Sequence, residues 1–314
     1  MKRKIFSILF ALVLVLSFSL VTAVPVAAAD LNVPSPEYPT IQSAVDAANP
    51  AGGDTIIVAA GIYDEQVVIN KSLTLQGAGD TTIIQPSSAG RLTAHHTIYW
   101  YDGSPTEIAG IIIANEVVGS VMVKNLKVDG GNVIACPAGA NWVAGIFYRE
   151  TGGVIDSVDV TNMTIGNTGT AVRGQGIYLY AMSTTVSVEV KDCRISDYDK
   201  NGINADGSEL TADIHHNTVT GRGPLPEGDE VQNGILIIDH AQGMVRDNVV
   251  SGNYYLEVTV PGKGKATGKQ RWTASGILLF YVKVGNGGVF ISNNKVNDNQ
   301  GPIGVVPEGA QGPP

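Results

Sequence analysis

A six-residue pattern of apolar and polar positions recurs along the chain between residues 123 and 296. Each copy begins and ends with Val or Ile, has a polar turn-forming residue in its third position, and carries Leu, Met, Cys or Asn in its fourth. This unit is typical of two short strands that meet at a tight bend, because alternate side chains of a strand share one face. The copies span residues 123–128, 160–165, 190–195, 214–219, 245–250 and 291–296.

The fourth positions of these hexapeptides predict a column of side chains stacked at the bend. In the last three copies the residues are Asn217, Asn248 and Asn294. Amide side chains at equivalent positions of stacked strands can hydrogen-bond to one another, since each carries both donors and an acceptor. The pattern therefore predicts an internal asparagine ladder.

A second motif, Gly-Ile followed by two further residues of a strand, alternates with the hexapeptides. From each of these glycines to the next hexapeptide the chain needs 11 to 15 residues, whereas the reverse connection varies from 12 to 31. All-β structure with parallel stacked strands satisfies this repeat. We predict a single right-handed parallel β-helix of about eight or nine coils, whose extra residues gather at one corner. The motif glycines are Gly145, Gly176, Gly202, Gly234 and Gly276.

The two ends of such a stack need covers, because they expose unpaired strand edges. Near residues 39–48, the apolar residues Ile41, Ala44, Val45 and Ala48 share one helical face, which predicts a short N-terminal capping helix. We expect the β-helix domain to span residues 30–306. Residues 307–314 are interpreted as a flexible tail or a truncated end.

The first residues predict export. A basic start at residues 2–4 precedes a long apolar run and the small residues 27–29, which is the layout of a signal peptide cleaved before Asp30. An uncleaved membrane anchor is the alternative. We expect a secreted or cell-surface protein with a signal peptide at residues 1–29 and no other contact with a membrane.

Composition narrows the partners. The 38 glycines and a charged fraction of 16% favour a turn-rich β protein, and the net charge of −9 argues against a nucleic-acid partner. Cys136 and Cys193 are too few for a disulfide framework, so both are expected to be free and buried.

The segment from residue 38 to residue 85 resembles the opening of the pectin-lyase-like superfamily, especially pectinesterases and secreted repeat-type β-helix proteins. The likeness rests on the stretches 38–48, 53–58, 61–65 and 72–77. Gly61, Tyr63 and Glu65 match the Gly-x-Tyr-x-Glu element of pectinesterases, but the later catalytic segments of that family are missing. The resemblance implies a fold and, at most, an interaction with polysaccharide.

The sequence identifies no complete catalytic set. The aspartate clusters that polygalacturonase-type hydrolases need are missing as well. Asp239 and His240 resemble the Trp-Ile-Asp-His element of pectate lyases, which implies a calcium ligand, and Arg246 or Arg271 is the candidate base. The alternative interpretation is an ordinary turn after a strand.

Two patterns suggest metals. Asp197, Asp199 and Asn201 read like the first half of a calcium loop, but Ser208 stands where the closing glutamate should be, and turn residues are the alternative. No cofactor is required, and Ca²⁺ is an optional ligand of this loop. Adjacent histidines such as His215 and His216 should face opposite ways on a strand and should not chelate together.

Strand parity predicts an outward apolar stripe. If Ile177 and Leu179 point inward, then Tyr178 and Tyr180 point outward. The stripe is either covered by the inserted loops, open as a ligand groove, or a surface for self-association. The same parity turns Phe147, Leu236, Ile238, Leu278 and Phe280 outward on neighbouring coils.

Three functions follow from these patterns. The leading hypothesis is a protein that binds polysaccharide or another extracellular glycan along one strand face, between walls at residues 129–144, 220–233 and 251–275. The rivals are a polysaccharide-degrading enzyme, a lyase before a hydrolase or an esterase, and a structural envelope protein. The predicted ligand contacts, chosen because aromatic rings stack on sugars, are Trp142, Phe147, Tyr178, Tyr180, Tyr254, Tyr255 and Trp272.

Overall fold

A computed structural model describes residues 27–86, 92–100, 102–131, 140–164, 173–223, 231–255 and 274–307, apart from the side chain of Asn141. In this part of the chain two long sheets carry almost all of the regular structure. The first sheet contains β1 (Asp30–Val33), β2 (Asp54–Val58), β3 (Gly61–Asp64), β5 (Leu73–Gln76), β6 (Thr82–Gln85), β9 (Ser120–Asp129), β11 (Gly152–Thr161), β13 (Val186–Lys191), β14 (Arg194–Ser196), β16 (Leu210–His215), β17 (Thr218–Thr220), β19 (Gln242–Arg246), β20 (Val249–Ser251), β22 (Val289–Ser292) and β23 (Lys295–Val296). The second sheet contains β4 (Val67–Ile69), β7 (His95–Tyr99), β8 (Pro105–Asn115), β10 (Ala140–Arg149), β12 (Arg173–Tyr180), β15 (Asn201–Asp206), β18 (Asn233–Ile238), β21 (Ser275–Phe280) and β24 (Gly301–Val306).

The strands stack as a right-handed parallel β-helix, as predicted. The main path of the first sheet runs β1-β2-β5-β9-β11-β13-β16-β19-β22, so the described chain makes nine passes through this sheet. Within the described residues one strand breaks the parallel rule, since β7 pairs antiparallel with β8. The connections longer than ten residues between the repeats all lead from the first sheet to the second, which confirms that the extra residues gather at one side.

The core lies between the two sheets and is built from side chains in register. One column of the second sheet consists of isoleucines, including Ile177, Ile203 and Ile235, all of which are fully buried. Burial of each such side chain contributes about 1.5–3 kcal/mol. Repeating the same residue from coil to coil therefore gives every coil a similar share of the core.

The hexapeptides form the predicted bends. Their third residues all adopt the left-handed conformation, with φ between 53° and 57°. Asn and Asp tolerate this conformation better than most residues, which explains why they fill five of these six positions. The third residues are Asn125, Asn162, Asp192, His216, Asp247 and Asn293.

The predicted asparagine ladder is confirmed. Asn217 donates from both its backbone N and its Nδ2 to Oδ1 of Asn248, at 2.9 and 3.0 Å. Asn248 repeats this pattern with Oδ1 of Asn294, at 2.9 Å for both bonds. Cys193 occupies the same position one coil earlier and is a free, buried cysteine, as expected; burial raises its pKa to about 12. Cys136 lies outside the described residues.

The N-terminal cap is the helix α1 (Ile41–Ala47), which is shorter than the predicted segment. Thr40 caps it through a hydrogen bond from the backbone N of Ser43, and Ile41 is buried beneath it. Glu65 accepts hydrogen bonds from the backbone N atoms of Ile41 and Gln42, at 2.9 Å each. The esterase-like Gly-x-Tyr-x-Glu element therefore ends in a residue that holds the cap in place.

The predicted signal peptide falls mostly outside the described residues. Among the described residues, no helix is long and apolar enough to cross a membrane.

Candidate functional site

The candidate site lies on the outward face of the second sheet, across β12, β15 and β18. Strand parity is as predicted, because Ile177 and Leu179 belong to the main core whereas Phe147 and Tyr178 belong to a second, separate cluster. Phe147 and Tyr178 are fully buried and Tyr180 is only 4% exposed. At Phe147, Tyr178 and Tyr180 the stripe is therefore covered by other parts of the chain. Direct contact of these rings with a ligand stays a prediction.

Part of the cover comes from β7, which the sequence patterns did not reveal. Ile98 of this strand packs into the same cluster as Tyr178. The hydroxyl of Tyr180 accepts a hydrogen bond from the backbone N of Tyr99 at 3.0 Å and lies 3.2 Å from its carbonyl oxygen, to which it donates. The stripe is thus an extension of the core at this end of the molecule.

Trp142 belongs to the same covered cluster and is 8% exposed. The guanidinium of Arg173 lies 5.2 Å from the centroid of its ring, and Trp100 meets it edge-on at 5.9 Å. Further along this face, Leu278 and Phe280 are partly exposed. The aromatic cover therefore closes the face around β10 and β12, and the face opens towards β21.

Beside the aromatic cluster runs a ladder of buried polar side chains. Oε1 of Gln175 accepts a hydrogen bond from Nδ2 of Asn201 at 3.0 Å, and Oδ1 of Asn201 accepts from Nδ2 of Asn233 at 3.1 Å. Gln175 stands in register with Ala144, which belongs to the same outer cluster as Phe147 and Tyr178, so the ladder that begins at Gln175 lies on the outward face. The ladder therefore holds a row of amides on the outward face, where β12, β15 and β18 begin.

Among the described residues, two amide atoms of this face have no hydrogen-bond partner, besides the carboxylate oxygens of the acid pair considered below. They are Nε2 of Gln175 and Oδ1 of Asn204, both on buried residues of neighbouring strands. Buried polar atoms in native proteins nearly always have partners, and leaving one unpaired costs about 1–3 kcal/mol. An unpaired donor and an unpaired acceptor on adjacent coils are expected where a ligand or an ordered water molecule forms the missing hydrogen bonds.

A pair of acids lies at the end of this polar row. Tyr178 donates its hydroxyl to Oδ2 of Asp206 at 2.6 Å. Burial, and then the charge of Asp239, raise the pKa of Asp206 well above its usual value, and the hydrogen bond between the two carboxyl groups acts in the same direction. The pair therefore retains a proton at a pH where an exposed aspartic acid has lost it. Burial raises the pKa of Tyr178 as well, so its hydroxyl stays a donor.

Each acid of the pair has one buried oxygen, Oδ1, that accepts from no amide or hydroxyl group among the described residues. A proton held between the two carboxyl groups would supply a donor to the pair, because a protonated acid can donate to a neighbouring carboxylate.

The catalytic candidates from the sequence separate in the structure. Asp239 is buried against Asp206, while its neighbour His240 is exposed in the turn that follows β18. Arg246, one of the two candidate bases, belongs to β19 of the first sheet and bonds there to Asp213, so it does not share the sheet that leads to Asp239. Arg271 and Trp272 lie outside the described residues, as do large parts of the three predicted walls.

Sequence reasoning missed Asp206 and Asn204. Both are outward residues of β15, in register with Tyr180 and Tyr178 of the preceding coil. The only sequence signal is their polarity at positions that are apolar or aromatic in neighbouring coils. Their closeness to Asp239 depends on how the turn after β18 is folded, which the sequence pattern does not reveal.

The other two predicted ligand residues lie at a different place. Tyr254 and Tyr255 follow β20 and are half-buried. The hydroxyl of Tyr254 donates to Oδ1 of Asp298 at 2.8 Å, and the backbone N of Tyr255 donates to Oε1 of Gln300. Both are thus tied to the last described coil.

The predicted calcium ligands have other partners. Asp199 bonds to Nη1 of Arg222 at 3.0 Å and to the backbone N of Gly174 at 3.2 Å. Asp197 accepts a long hydrogen bond from Thr161, and Asn201 belongs to the amide ladder. The three residues are held by separate contacts, and calcium binding by them stays a prediction.

One protein family matches the part of the chain that carries these strands. Residues 150–276 match the family described as "Protein of unknown function (DUF1565)". No curated protein sequence matches the chain.

Several solved structures are similar to the chain, among them the following three. A GH136 lacto-N-biosidase from Eubacterium ramulus has 12% sequence identity and a TM-score of 0.47, and the match covers 78% of this chain and 47% of that one. The A-module of the mannuronan C-5 epimerase AlgE6 from Azotobacter vinelandii has 17% identity and a TM-score of 0.44, and the match covers 81% of this chain and 63% of that one. A mutant pectin methylesterase in complex with a hexasaccharide has 12% identity and a TM-score of 0.35, and the match covers 90% of this chain and 93% of that one. The chain spans about half the length of the lacto-N-biosidase. Its parallel strand topology, together with the family match, identifies the chain as a right-handed parallel β-helix protein.

Proposed function

We propose that the protein is an exported β-helix that binds a carbohydrate chain at the outward face of the second sheet, across β12, β15 and β18. One observation carries the proposal: Gln175 and Asn204 present a buried donor and a buried acceptor that have no hydrogen-bond partner in the part of the chain that the structure describes, and Asn204 stands in register with Tyr178. Sugars offer hydroxyl groups that both donate and accept, and apolar ring faces that pack on aromatic side chains. Amide and carboxyl groups in a row suit such a ligand. The predicted signal peptide supports an extracytoplasmic location.

The ligand enters from the open end of the face. Leu278 and Phe280 of β21 are partly exposed, whereas the rings around β12 are covered. A chain lying across β21 and β18 is one strand away from β15, and it contacts Asn204, which is buried, when the groups that cover this residue move aside. The partly exposed apolar residues offer its sugar rings a surface on the way.

The electrostatics favour a neutral or weakly charged sugar unit at the acid pair. Asp206 and Asp239 are acidic, and Tyr178, which donates to Asp206, is uncharged. A uronate carboxylate placed there would meet like charge and would lose its hydration. A protonated Asp206, in contrast, can both donate to and accept from a hydroxyl.

Cleavage of the glycan is the second candidate function, because a buried acid that keeps its proton is a potential proton donor. The pair does not have the spacing of the usual two-carboxylate glycosidases, in which the groups stand about 5 Å or more apart on either side of the bond. Asp206 and Asp239 are close enough to share a hydrogen bond. The geometry therefore supports binding better than hydrolysis.

A binding experiment tests the proposal. A panel of neutral and uronate oligosaccharides is titrated into the purified protein by calorimetry. We expect at least one neutral oligosaccharide to bind, and Asn204→Leu and Asp206→Asn to weaken it by about tenfold each, the effect of losing roughly one hydrogen bond to the ligand. Met244→Ala is the matched control, because Met244 is exposed on the other sheet, and it should bind as the wild type does.

The same samples separate the two functions. Release of reducing ends, or new absorbance from unsaturated products, that disappears in Asp206→Asn would favour cleavage. If no oligosaccharide binds, or if the two variants bind as tightly as the wild type, the proposed site is wrong.

A further inference from the structure

A second group of chemically competent side chains lies on the first sheet, away from the proposed glycan site. Glu189 of β13 and Asp213 of β16 stand opposite each other in register on neighbouring coils. His215 lies two residues after Asp213 on the same strand, so both side chains emerge on the same face. Parallel stacking thus brings three ligand-type residues together from only two strands.

We propose that Glu189, Asp213 and His215 form a binding site for one divalent transition-metal ion of the zinc type. One potential ligand atom from each residue lies within 4.8 Å of the other two. Nε2 of His215 is 3.0 Å from Oε1 of Glu189 and 3.9 Å from Oδ2 of Asp213. Imidazole nitrogen with two carboxylate oxygens is a ligand set that Zn²⁺ accepts, with a fourth position left for water.

Neighbouring cations leave room for the ion. Lys191 pairs with Oε2 of Glu189 at 3.1 Å, so it contacts the oxygen that does not face His215. Arg246 pairs with Oδ2 of Asp213 at 2.9 Å, while Oδ1 of that carboxylate is buried without a hydrogen-bond partner. Glu189 therefore keeps Oε1 on the side of His215, whereas Oδ2 of Asp213 faces both His215 and Arg246, so the ion would bind Asp213 through Oδ1 or take the place of Arg246 at Oδ2.

The local charge is negative despite these two cations. Lys191 interacts with the carboxylates of Glu189, Asp156 and Asp192, and Arg246 with those of Asp213 and Asp247. With Lys124, which stands in register with Asp156, these groups are five acids and three bases, and this excess of negative charge would be reduced by an added divalent cation. A salt-bridge network with equal numbers of acids and bases would not gain in this way.

His216 orients the histidine ligand. It lies at the bend after β16, outside the strand and with φ of 57°, so the alternation of side chains along a strand does not extend to it. The two Nδ1 atoms are 2.7 Å apart, and the rings meet edge-on at 5.0 Å. The expectation that these neighbours face apart is wrong for this reason. A hydrogen bond at Nδ1 leaves Nε2 directed at the carboxylates, as in metal sites where a second residue holds the imidazole.

Titration of ZnCl₂ into the purified protein, followed by calorimetry, tests the site. We expect one ion per chain, and at least about tenfold weaker binding in Asp213→Asn and in His215→Gln, since even residues that only support a ligand change metal affinity by about 10- to 100-fold. Replacing Zn²⁺ by Co²⁺ should give visible absorption bands that both variants lose. Circular dichroism checks that each variant is folded. If His215→Gln does not fold, the result for Asp213→Asn decides the test, because Asp213 is only partly buried and its substitution should leave the fold intact.

His95 provides the matched control. It forms a similar pair with Glu107, from Nδ1 to Oε2 at 2.8 Å, but it belongs to no group of three ligands among the described residues. His95→Gln should bind Zn²⁺ as the wild type does. The inference is overturned if the wild type binds no Zn²⁺, if Asp213→Asn binds it equally well, or if His95→Gln is the variant that loses it. Diffraction data from zinc-soaked crystals should place an anomalous peak within bonding distance of all three residues.

Discussion

Replacing Asn248 by Ala should destabilise the protein more than almost any other single polar substitution. The side chain is fully buried and makes four hydrogen bonds. Its Oδ1 accepts from the backbone N and from Nδ2 of Asn217, and its Nδ2 donates to the carbonyl of Ile214 and to Oδ1 of Asn294. At about 1 kcal/mol for each lost bond, the free energy of unfolding should fall by about 4 kcal/mol.

The partners left behind explain why the loss is large. Without Asn248 Oδ1, the backbone N–H of Asn217 and one N–H of its Nδ2 lose their acceptor in a buried place, while the other N–H of Nδ2 keeps the carbonyl of Val190. Asn294 is the matched comparison, because it follows Asn248 in the ladder and is partly exposed. Asn294→Ala should lower the free energy of unfolding by about 1–2 kcal/mol, since water replaces some of its bonds.

Urea unfolding followed by far-UV circular dichroism measures both values. A further variant combines Asn217→Leu with Asn248→Leu. Leucine is chosen because Leu126 occupies the equivalent position of an earlier coil and is buried there. Removing both partners should cost less than the sum of the two single Leu variants, by about 1 kcal/mol or more. The reasoning is refuted if Asn248→Ala loses less than about 1 kcal/mol, or if Asn294→Ala is equally harmful.

Three further outcomes are expected. Ile203→Ala should lower the free energy of unfolding by about 2–5 kcal/mol, because Ile203 is fully buried. Ile303 lies in the same column but is 46% exposed, so Ile303→Ala should lower the free energy of unfolding by less. The urea midpoints of the two variants test this difference. Glu65→Gln should reduce stability by about 0.5–2 kcal/mol through weaker capping of α1, with Glu37→Gln, on an exposed residue, as the neutral control in thermal unfolding. Asp206→Asn should gain stability relative to the wild type as the pH rises above about 3.8, the ordinary pKa of aspartic acid. The pKa of Asp206 is raised in the folded protein, so folding favours its protonated form, and this contribution to stability is lost as the pH rises through the folded-state pKa. Equal thermal midpoints of the two proteins from mildly acidic to mildly alkaline pH would contradict the shift.

The repeat and its bends could be predicted from the sequence because they depend on local rules. Side-chain alternation assigns Ile177 to the core whatever surrounds the strand. The bend places a polar residue such as Asp247 in the left-handed conformation and stacks Asn248 on its neighbours, and both follow from the hexapeptide itself. The capping helix followed from its apolar face, although its contact with Glu65 did not.

The candidate sites could be predicted only in part. Asp239 was found as a motif, but its partner Asp206 lies 33 residues earlier in the chain and has no motif of its own. The same holds for Glu189, which meets His215 only because two coils stack in one register. Sequence patterns show which face a side chain takes, but not which side chain of another coil stands beside it.

The sequence by itself therefore determined the winding of the chain, the inward columns and the asparagine ladder, because a period of alternating side chains and a tight bend are properties of a few consecutive residues. Tertiary structure alone decided that β7 covers Tyr178, that two aspartic acids share a buried corner, and that three metal-type ligands converge on the first sheet. These outcomes depend on connections of unequal length, which set what lies over a face and which coils come into register. No local pattern carries that information, since contacts between distant residues arise only when the whole stack is formed.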